Sequence, residues 1–92
     1  MNLKKLISIK SSKDIKPIIG MRVKVLIPVD DNLDTKNKFA TIKKLNTTFD
    51  LIHLEFDCEI DGGHSCSDLC KPDCGWNARY DEWNDGYFEV LQ

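Results

Sequence analysis

The chain has 92 residues, of which 41% are hydrophobic and 30% charged, and a formal net charge of −2. This size and composition are typical of one small globular domain with a marginally stable core. Because no apolar run approaches the ~20 residues of a membrane helix and the N-terminal lysines precede no apolar signal stretch, we expect a cytoplasmic protein with reduced thiols and no membrane contact.

Charge is distributed unevenly along the chain. Residues 1–49 contain eleven Lys or Arg and four Asp or Glu, a charge of +7, whereas residues 50–92 contain two and eleven, a charge of −9. One interpretation is that the two halves attract each other across the fold. The other is that the acidic half forms a surface for a basic protein partner. Nucleic-acid phosphates, which prefer Lys and Arg, would not bind to that half.

Alternating apolar residues predict the strands. In the stretch MRVKVLIPV (21–29), β-branched residues recur at every second position, which is typical of a half-buried strand, and Pro28 lies near its end. The polar stretch 30–38 is predicted to be an exposed loop and 46–50 a turn. The same alternation predicts three further strands, at 39–45, 51–57 and 86–91.

Four or five short strands without a long helix predict an all-β domain. We expect residues 1–16 to form an N-terminal extension and residues 17–92 to form the folded domain. A closed barrel is favoured because closure removes exposed strand edges. The stretch 61–86 has no clear period and is rich in Gly and Pro, so it is predicted to be an irregular Cys/His-containing insertion before the last strand.

The strand motifs GMRVKVL, ATIKKL, LIHLEFD and YFEVL resemble those of the SH3-like small-barrel superfamily, which includes KOW and Tudor modules. The elements GGH and CGW are similar to those of small phage-encoded and bacterial proteins. The resemblance covers residues 17–92, and the sequence departs from it at Ala40, where such barrels often have glycine. It implies an SH3-like barrel of about five strands, and it implies architecture more than activity because this fold hosts many functions.

All four cysteines lie in the stretch DCEIDGGHSCSDLCKPDCGW, together with one histidine. Zinc prefers four thiolate or imidazole ligands, and one structural zinc ion would add folding energy to a domain with a small core. The alternatives are one or two disulfides, four partly buried free thiols, and a histidine that hydrogen-bonds a carbonyl of its loop. The candidate zinc ligands are Cys66, Cys70 and Cys74, with His64 or Cys58 as the fourth.

Aromatic and acidic residues alternate near the C-terminus. Such residues anchor interfaces with Lys- or Arg-rich partners, and in Tudor-like barrels aromatic residues form cages for methylated cations. The alternative is that the rings pack in the core, with Trp83 covering its end. The predicted partner-binding residues are Tyr80, Asp81, Glu82, Trp83 and Asp85.

Basic residues of the N-terminal half offer a second kind of surface. In a KOW-like module, Lys24, Lys43 and Lys44 would contact RNA or DNA phosphates, although no aromatic residues are interleaved for base stacking. A solvated face is the alternative interpretation. His53, at an alternate position of the third strand, is expected to face solvent.

No phosphate-binding glycine loop or zinc-protease motif occurs. A cysteine and a histidine this close on one loop rarely reach the geometry of a nucleophile and its base, and little chain is left to build a substrate pocket. We therefore expect a non-enzymatic protein-interaction module whose acidic aromatic half binds a basic surface. The phage-like resemblance implies a host nucleic-acid-handling defence protein as a partner that binding would occlude. The alternatives are a KOW/Tudor-like module that binds RNA or DNA through its basic half, and a small structural zinc protein.

Overall fold

In the computed structural model, which describes residues 9–91, the chain forms one antiparallel sheet of six strands. A short helix, α1 (Tyr80–Asn84), precedes the last strand, and 3-10 turns span Ser12–Asp14 and Leu33–Thr35. The all-β prediction is confirmed. The strands are β1 (Ile9–Ser11), β2 (Arg22–Val25), β3 (Phe39–Asn46), β4 (Leu51–Phe56), β5 (Gly75–Arg79) and β6 (Phe88–Leu91).

The strand order across the sheet is β1-β6-β2-β3-β4-β5. The strands β1 and β5 are therefore the two edges, and over residues 9–91 the sheet is open where the sequence predicted a closed barrel. A bulge between Ile42 and Lys44 shifts the register of β3 against β4, and such bulges increase the local twist of a sheet. In the same part of the chain, no helix is long and apolar enough to span a bilayer.

One face of the sheet forms the core. Successive side chains of a strand point to opposite faces, so the predicted alternation in β2 and β4 sends every second residue inward. These inward residues are fully buried. Residues of β3, β5, β6 and α1 pack with them and are also fully buried. The fully buried apolar residues of these elements are Val23, Val25, Ala40, Ile42, Ile52, Leu54, Phe56, Ala78, Trp83, Phe88 and Val90.

Strand β2 is shorter than predicted. It ends at Val25, and the amides of Leu26 and Ile27 instead donate to the carbonyl of Tyr87 at 2.8 and 3.3 Å. The chain then turns before Pro28, whose missing N–H suits a position outside the ladder. The fixed φ of proline and the bonds to Tyr87 together redirect the predicted end of this strand into a loop.

Two strands and one helix were not predicted from the sequence. Strand β5, with the sequence GWNAR, has no apolar alternation, and its pairing with β4 from Leu51↔Arg79 to Glu55↔Gly75 defines it instead. Strand β1 pairs with β6, so residues 9–11 of the predicted extension belong to the sheet. The domain division at residue 17 stays a prediction.

Candidate functional site

The cysteine loop, residues 57–74, joins β4 to β5 and contains no helix or strand. Two backbone bonds attach it to the edge strand β5: His64 N donates to Gly75 O at 3.0 Å, and Gly75 N donates to His64 O at 2.6 Å. Ile60, 5% exposed, inserts into the core. Gly63 packs so closely that a Cβ there would collide with the backbone carbonyl of Asp73. The predicted insertion is therefore a packed element of the fold.

A left-handed turn orients two of the cysteines. Cys66, Ser67 and Asp68 have φ values of 50°, 56° and 72°, a conformation that costs L-residues about 1–2 kcal/mol each. The amide of Cys70 closes the turn by donating to Ser65 O at 2.9 Å. As a result, the Sγ atoms of Cys66 and Cys70 both lie 3.8 Å from the carbonyl oxygen of Leu54.

These thiols are held in the neutral form. Burial, with a smaller contribution from the neighbouring Cys66 thiol, raises the pKa of Cys70 to about 12. Burial also raises the pKa of Cys66, against a smaller opposing effect of the Cys70 thiol, and burial raises the pKa of Cys74. Because the thiolate is the reactive species, we expect the three buried cysteines to react slowly at neutral pH.

The structure divides the five predicted zinc ligands. Cys58 is exposed and Cys74 is buried. The Sγ atoms of Cys66 and Cys70 share the Leu54 carbonyl oxygen, and only the backbone amide of Cys66 contacts the ring of His64. The Nδ1 atom of His64 accepts a hydrogen bond from the Cys66 amide at 3.0 Å, so the ring bonds within its loop, but to an amide and not to the carbonyl that the sequence suggested. Over residues 9–91, no three His, Cys, Asp or Glu side chains converge as metal ligands would. Zinc binding stays a prediction from the sequence.

His53 lies in a different environment from the one expected. Both of its ring nitrogens are buried and have no hydrogen-bond partner among residues 9–91, and the same is true of Oδ1 of its cross-strand neighbour Asn77. The prediction of a solvent-facing ring is therefore wrong for its polar atoms. Burial lowers the pKa of His53, with smaller contributions from Lys44 and His64. The period-2 pattern correctly placed His53 on the outer face but could not reveal what covers that face.

Helix α1 corrects the predicted partner surface. Glu82 is 2% exposed, and its buried carboxylate is satisfied because Oε1 accepts from the Arg79 amide at 2.8 Å and Oε2 from the Asp30 amide at 2.7 Å. Trp83 is fully buried. Glu82 and Trp83 therefore maintain the fold, and their side chains offer no surface to a partner. Asp81 and Asp85 are exposed, and Tyr80 is half-buried.

The loop between β2 and β3 adds acidic residues that the sequence did not assign to a site. Arg79 joins this loop to α1 through ion pairs with Asp30 at 3.0 Å and Asp81 at 3.1 Å. The amide of Asp61, from the cysteine loop, donates to Asp34 Oδ2 at 2.9 Å. Three segments thus meet in one surface, which we call the acidic end and define as Asp30, Asp31, Asp34, Asp61 and Asp81.

An exposed apolar side chain, Leu33, follows two of the aspartates of the acidic end in the chain. Leu33 is 80% exposed, the largest exposure among the large hydrophobic residues of the described chain. Its 3-10 turn is rigid: the Asn32 side chain accepts from the Asp34 amide at 3.1 Å and donates to Asp61 O at 2.8 Å. The buried Thr35 hydroxyl also accepts from the Val29 amide at 2.9 Å.

The predicted nucleic-acid lysines lie on the outer face of the sheet. Lys43 is 4.0 Å from a carboxylate oxygen of Glu55, and Lys24 is the cross-strand neighbour of Glu89. Carboxylates are thus interleaved with these lysines, whereas phosphate binding favours an uninterrupted positive surface. Lys44 is exposed.

No protein-family model, no curated protein and no solved structure matches the chain.

Proposed function

We propose that this protein is a non-enzymatic interaction module with an SH3-like architecture, and that its acidic end binds a Lys- or Arg-rich surface of a partner protein. The observation that carries the proposal is Leu33, presented at 80% exposure on a braced turn and surrounded by aspartates. A bound partner would offer an apolar pocket for Leu33 and basic groups for the carboxylates around it.

The strand order supports the SH3-like part of the proposal. Strands β6-β2-β3-β4-β5 are neighbours in this order, and a short helix leads into β6. The strands β2 to β5 follow one another as antiparallel neighbours, and the last strand, β6, returns to pair with β2. This is the connectivity of a small barrel, although the sheet is not closed. In this arrangement β1 is an additional edge strand.

The charges of the acidic end support a basic partner. Arg79 forms ion pairs with Asp30 and Asp81 and offsets part of their negative charge, and Lys38 forms an ion pair with Asp34 at 2.8 Å. Asp31 and Asp61, in contrast, make no ion pair within residues 9–91. Unpaired carboxylates on rigid loops accelerate the approach of a basic surface and favour it over an acidic one.

The partner class to test first is a nucleic-acid-handling protein of a host cell, as the resemblance to phage-encoded proteins implies. Immobilised protein would be used to capture partners from nuclease-treated bacterial lysate, and the affinity of each purified partner would then be measured. We expect binding to weaken as salt increases, since exposed charge pairs are screened. Nucleic acid should compete with the module for the partner, because both would occupy its basic surface.

Two pairs of matched variants define the surface. Leu33→Ser should weaken binding by about tenfold or more, whereas Leu69→Ser, at another exposed leucine (44% exposed) on the cysteine loop, should not. Asp31→Asn with Asp61→Asn should weaken binding and reduce its salt dependence. The control, Asp68→Asn with Asp73→Asn, changes the net charge by the same amount away from the acidic end and should leave binding unchanged. Asparagine tolerates the left-handed backbone that three of these four residues adopt.

Equal affinities of the Leu33→Ser and Leu69→Ser variants would overturn the proposal. Loss of partner binding after Lys43→Gln with Lys44→Gln, together with full binding by Asp31→Asn with Asp61→Asn, would also overturn it and would move the contact to the basic residues of the sheet. Neither test uses Glu82 or Trp83, because substitutions at these buried residues would also destabilise the fold.

A further inference from the structure

A cleft of about 560 Å³ lies between the segment that follows β1 and helix α1, and it is lined by residues 13–17 together with Tyr80 and Asn84. This volume falls within the range of about 300–1,000 Å³ that small-molecule sites occupy. The cleft lies outside the acidic end, and neither its position nor its lining was apparent from the sequence. A ligand here would contact residues from both ends of the chain.

The two walls of the cleft are fixed to each other. The Ser12 hydroxyl donates to Trp83 O at 2.7 Å and accepts from the Phe88 amide at 3.3 Å. The Trp83 indole donates to Ile15 O at 2.7 Å. Because Ser12 is 1% exposed and Trp83 is fully buried, these bonds are shielded from water. The cleft is therefore preformed, which reduces the entropy that a ligand must lose to order its site.

The chemistry of the lining is mixed in a specific way. Lys13 and Lys16 are exposed and make no ion pair with any residue in the range 9–91. Asp14 contributes one carboxylate and Asn84 one amide, and the half-buried ring of Tyr80 supplies an aromatic surface. A fitting ligand thus has a negative group, hydroxyl donors, a hydrogen-bonding edge and a flat apolar body.

We propose that this cleft binds a ribonucleotide. The phosphate would pair with Lys13 and Lys16, and the Asp14 carboxylate would accept hydrogen bonds from ribose hydroxyls, a role that acidic residues play in dinucleotide sites. The base would stack on Tyr80, and the Asn84 amide would pair with its edge, a geometry that suits adenine.

Other ligand classes fit the same lining less well. A metal ion would find one carboxylate beside two ammonium groups, which repel it. A cationic ligand meets the same repulsion. A purely apolar ligand would cover the charged groups of Lys13, Asp14 and Lys16 without replacing their bonds to water, which is unfavourable.

Titration of the ¹⁵N-labelled protein with AMP tests this proposal by NMR. We expect amide shifts in residues 13–16 and 80–84, with adenosine and inorganic phosphate each binding about tenfold or more weakly, because each lacks part of the recognised chemistry. A short oligoadenylate distinguishes the two sources of a nucleotide. If the oligoadenylate binds much more tightly than AMP and shifts the same amide signals, the ligand is an RNA terminus. If the two affinities are equal, the ligand is the free nucleotide.

Matched variants complete the test. Lys13→Gln with Lys16→Gln should weaken AMP binding by about tenfold, whereas Lys36→Gln with Lys44→Gln, which changes the charge equally at exposed positions elsewhere, should leave it unchanged. Tyr80→Phe should retain binding and Tyr80→Leu should lose it. Shifts that map outside the cleft, equal affinities for AMP and adenosine, or equal losses in the two lysine variants would overturn the proposal. Because none of these residues belongs to the acidic end, the outcome is independent of partner binding there.

Discussion

The indole nitrogen of Trp83 donates a hydrogen bond over 2.7 Å to the backbone carbonyl of Ile15, a residue 68 positions earlier in the chain. The same indole ring packs against Phe88 with a distance of 5.4 Å between the ring centroids. One side chain thus connects the segment after β1, helix α1 and strand β6. The acidic aromatic stretch 80–85, which the sequence predicted to be a binding surface, therefore contains a residue that stabilises the fold.

Replacement of Trp83 by phenylalanine should lower the free energy of unfolding by about 2–3 kcal/mol. The change removes the indole hydrogen bond, leaves the Ile15 carbonyl without its partner and creates a cavity in the core. Urea denaturation followed by circular dichroism measures the effect.

The matched control is Trp76→Phe. Trp76 also donates its indole hydrogen to a backbone carbonyl, that of Val29 at 3.2 Å, but its side chain is only half-buried. We expect a smaller loss, of about 1 kcal/mol. A Trp83→Phe protein as stable as Trp76→Phe would show that Trp83 is not the main anchor.

Reaction with a thiol reagent should reveal one fast and three slow cysteines in the native protein. Cys58 is exposed, whereas Cys66, Cys70 and Cys74 are buried and have raised pKa values, so their reaction waits for local opening of the loop. Cys58→Ser should abolish the fast phase and leave the slow phases unchanged. Two or more fast thiols in the wild-type protein would contradict the buried arrangement of the cysteine loop.

The Cys70 thiol should make the protein less stable in alkaline solution. Its folded pKa, raised to about 12 by burial, exceeds the value of about 8.5 expected in the unfolded chain. The unfolded state therefore loses this proton first, and stability, unaffected below about pH 8, falls as the pH rises through this window. The urea midpoint should fall between pH 7.5 and pH 10 in the wild type, and it should fall by a smaller amount in Cys70→Ala. Identical pH slopes in the two proteins would contradict the assignment.

His53 should make the protein less stable in acid. Burial lowers its folded pKa, so below the unfolded value of about 6.5 the unfolded state binds a proton that the folded state resists. The contribution of His53 to stability is present above pH 6.5 and is lost as the pH falls towards and through the folded pKa. Unfolding measured at pH 7.5 and 5.5 should show a smaller difference in His53→Leu than in the wild type.

The same variant carries a second expectation. Leucine removes two buried nitrogen atoms that have no partner within residues 9–91, so His53→Leu should be at least as stable as the wild type at pH 7.5. A clear loss of stability at this pH would indicate that the ring nitrogens have a partner that these contacts do not reveal, such as an ordered water.

Gly63 should be the glycine least tolerant of substitution by alanine. A Cβ at this position would collide with the backbone carbonyl of Asp73, and backbone cannot move aside as a side chain can. We expect Gly63→Ala to lower the free energy of unfolding by about 2 kcal/mol or more, as overpacking does. At Gly20, where φ is 94° and nothing lies within 4 Å of an added Cβ, alanine meets backbone strain alone and should lose about 1 kcal/mol. A reversed order would contradict the close packing of the cysteine loop.

Several features of the fold could be predicted from local pattern. Alternation placed Val23 and Val25 of β2, and Ile52 and Leu54 of β4, on the buried face, because the side-chain period of a strand depends only on the backbone. Strand β5 escaped prediction because its sequence does not alternate, and its pairing with β4 is a long-range interaction. The helix α1 is too short for any helical period to be recognised.

The sequence by itself determined the all-β class, the inward face of the predicted strands and the confinement of the cysteines to one loop, since each follows from composition, period or position. Only the tertiary structure decided which polar groups are buried. Glu82 and Trp83 are internal because the amide of Asp30 and the carbonyl of Ile15, both distant in sequence, supply their hydrogen bonds. Leu33 is external because its turn is braced with the side chain outward. Burial depends on what the rest of the chain places over a residue, and a local pattern does not contain that information.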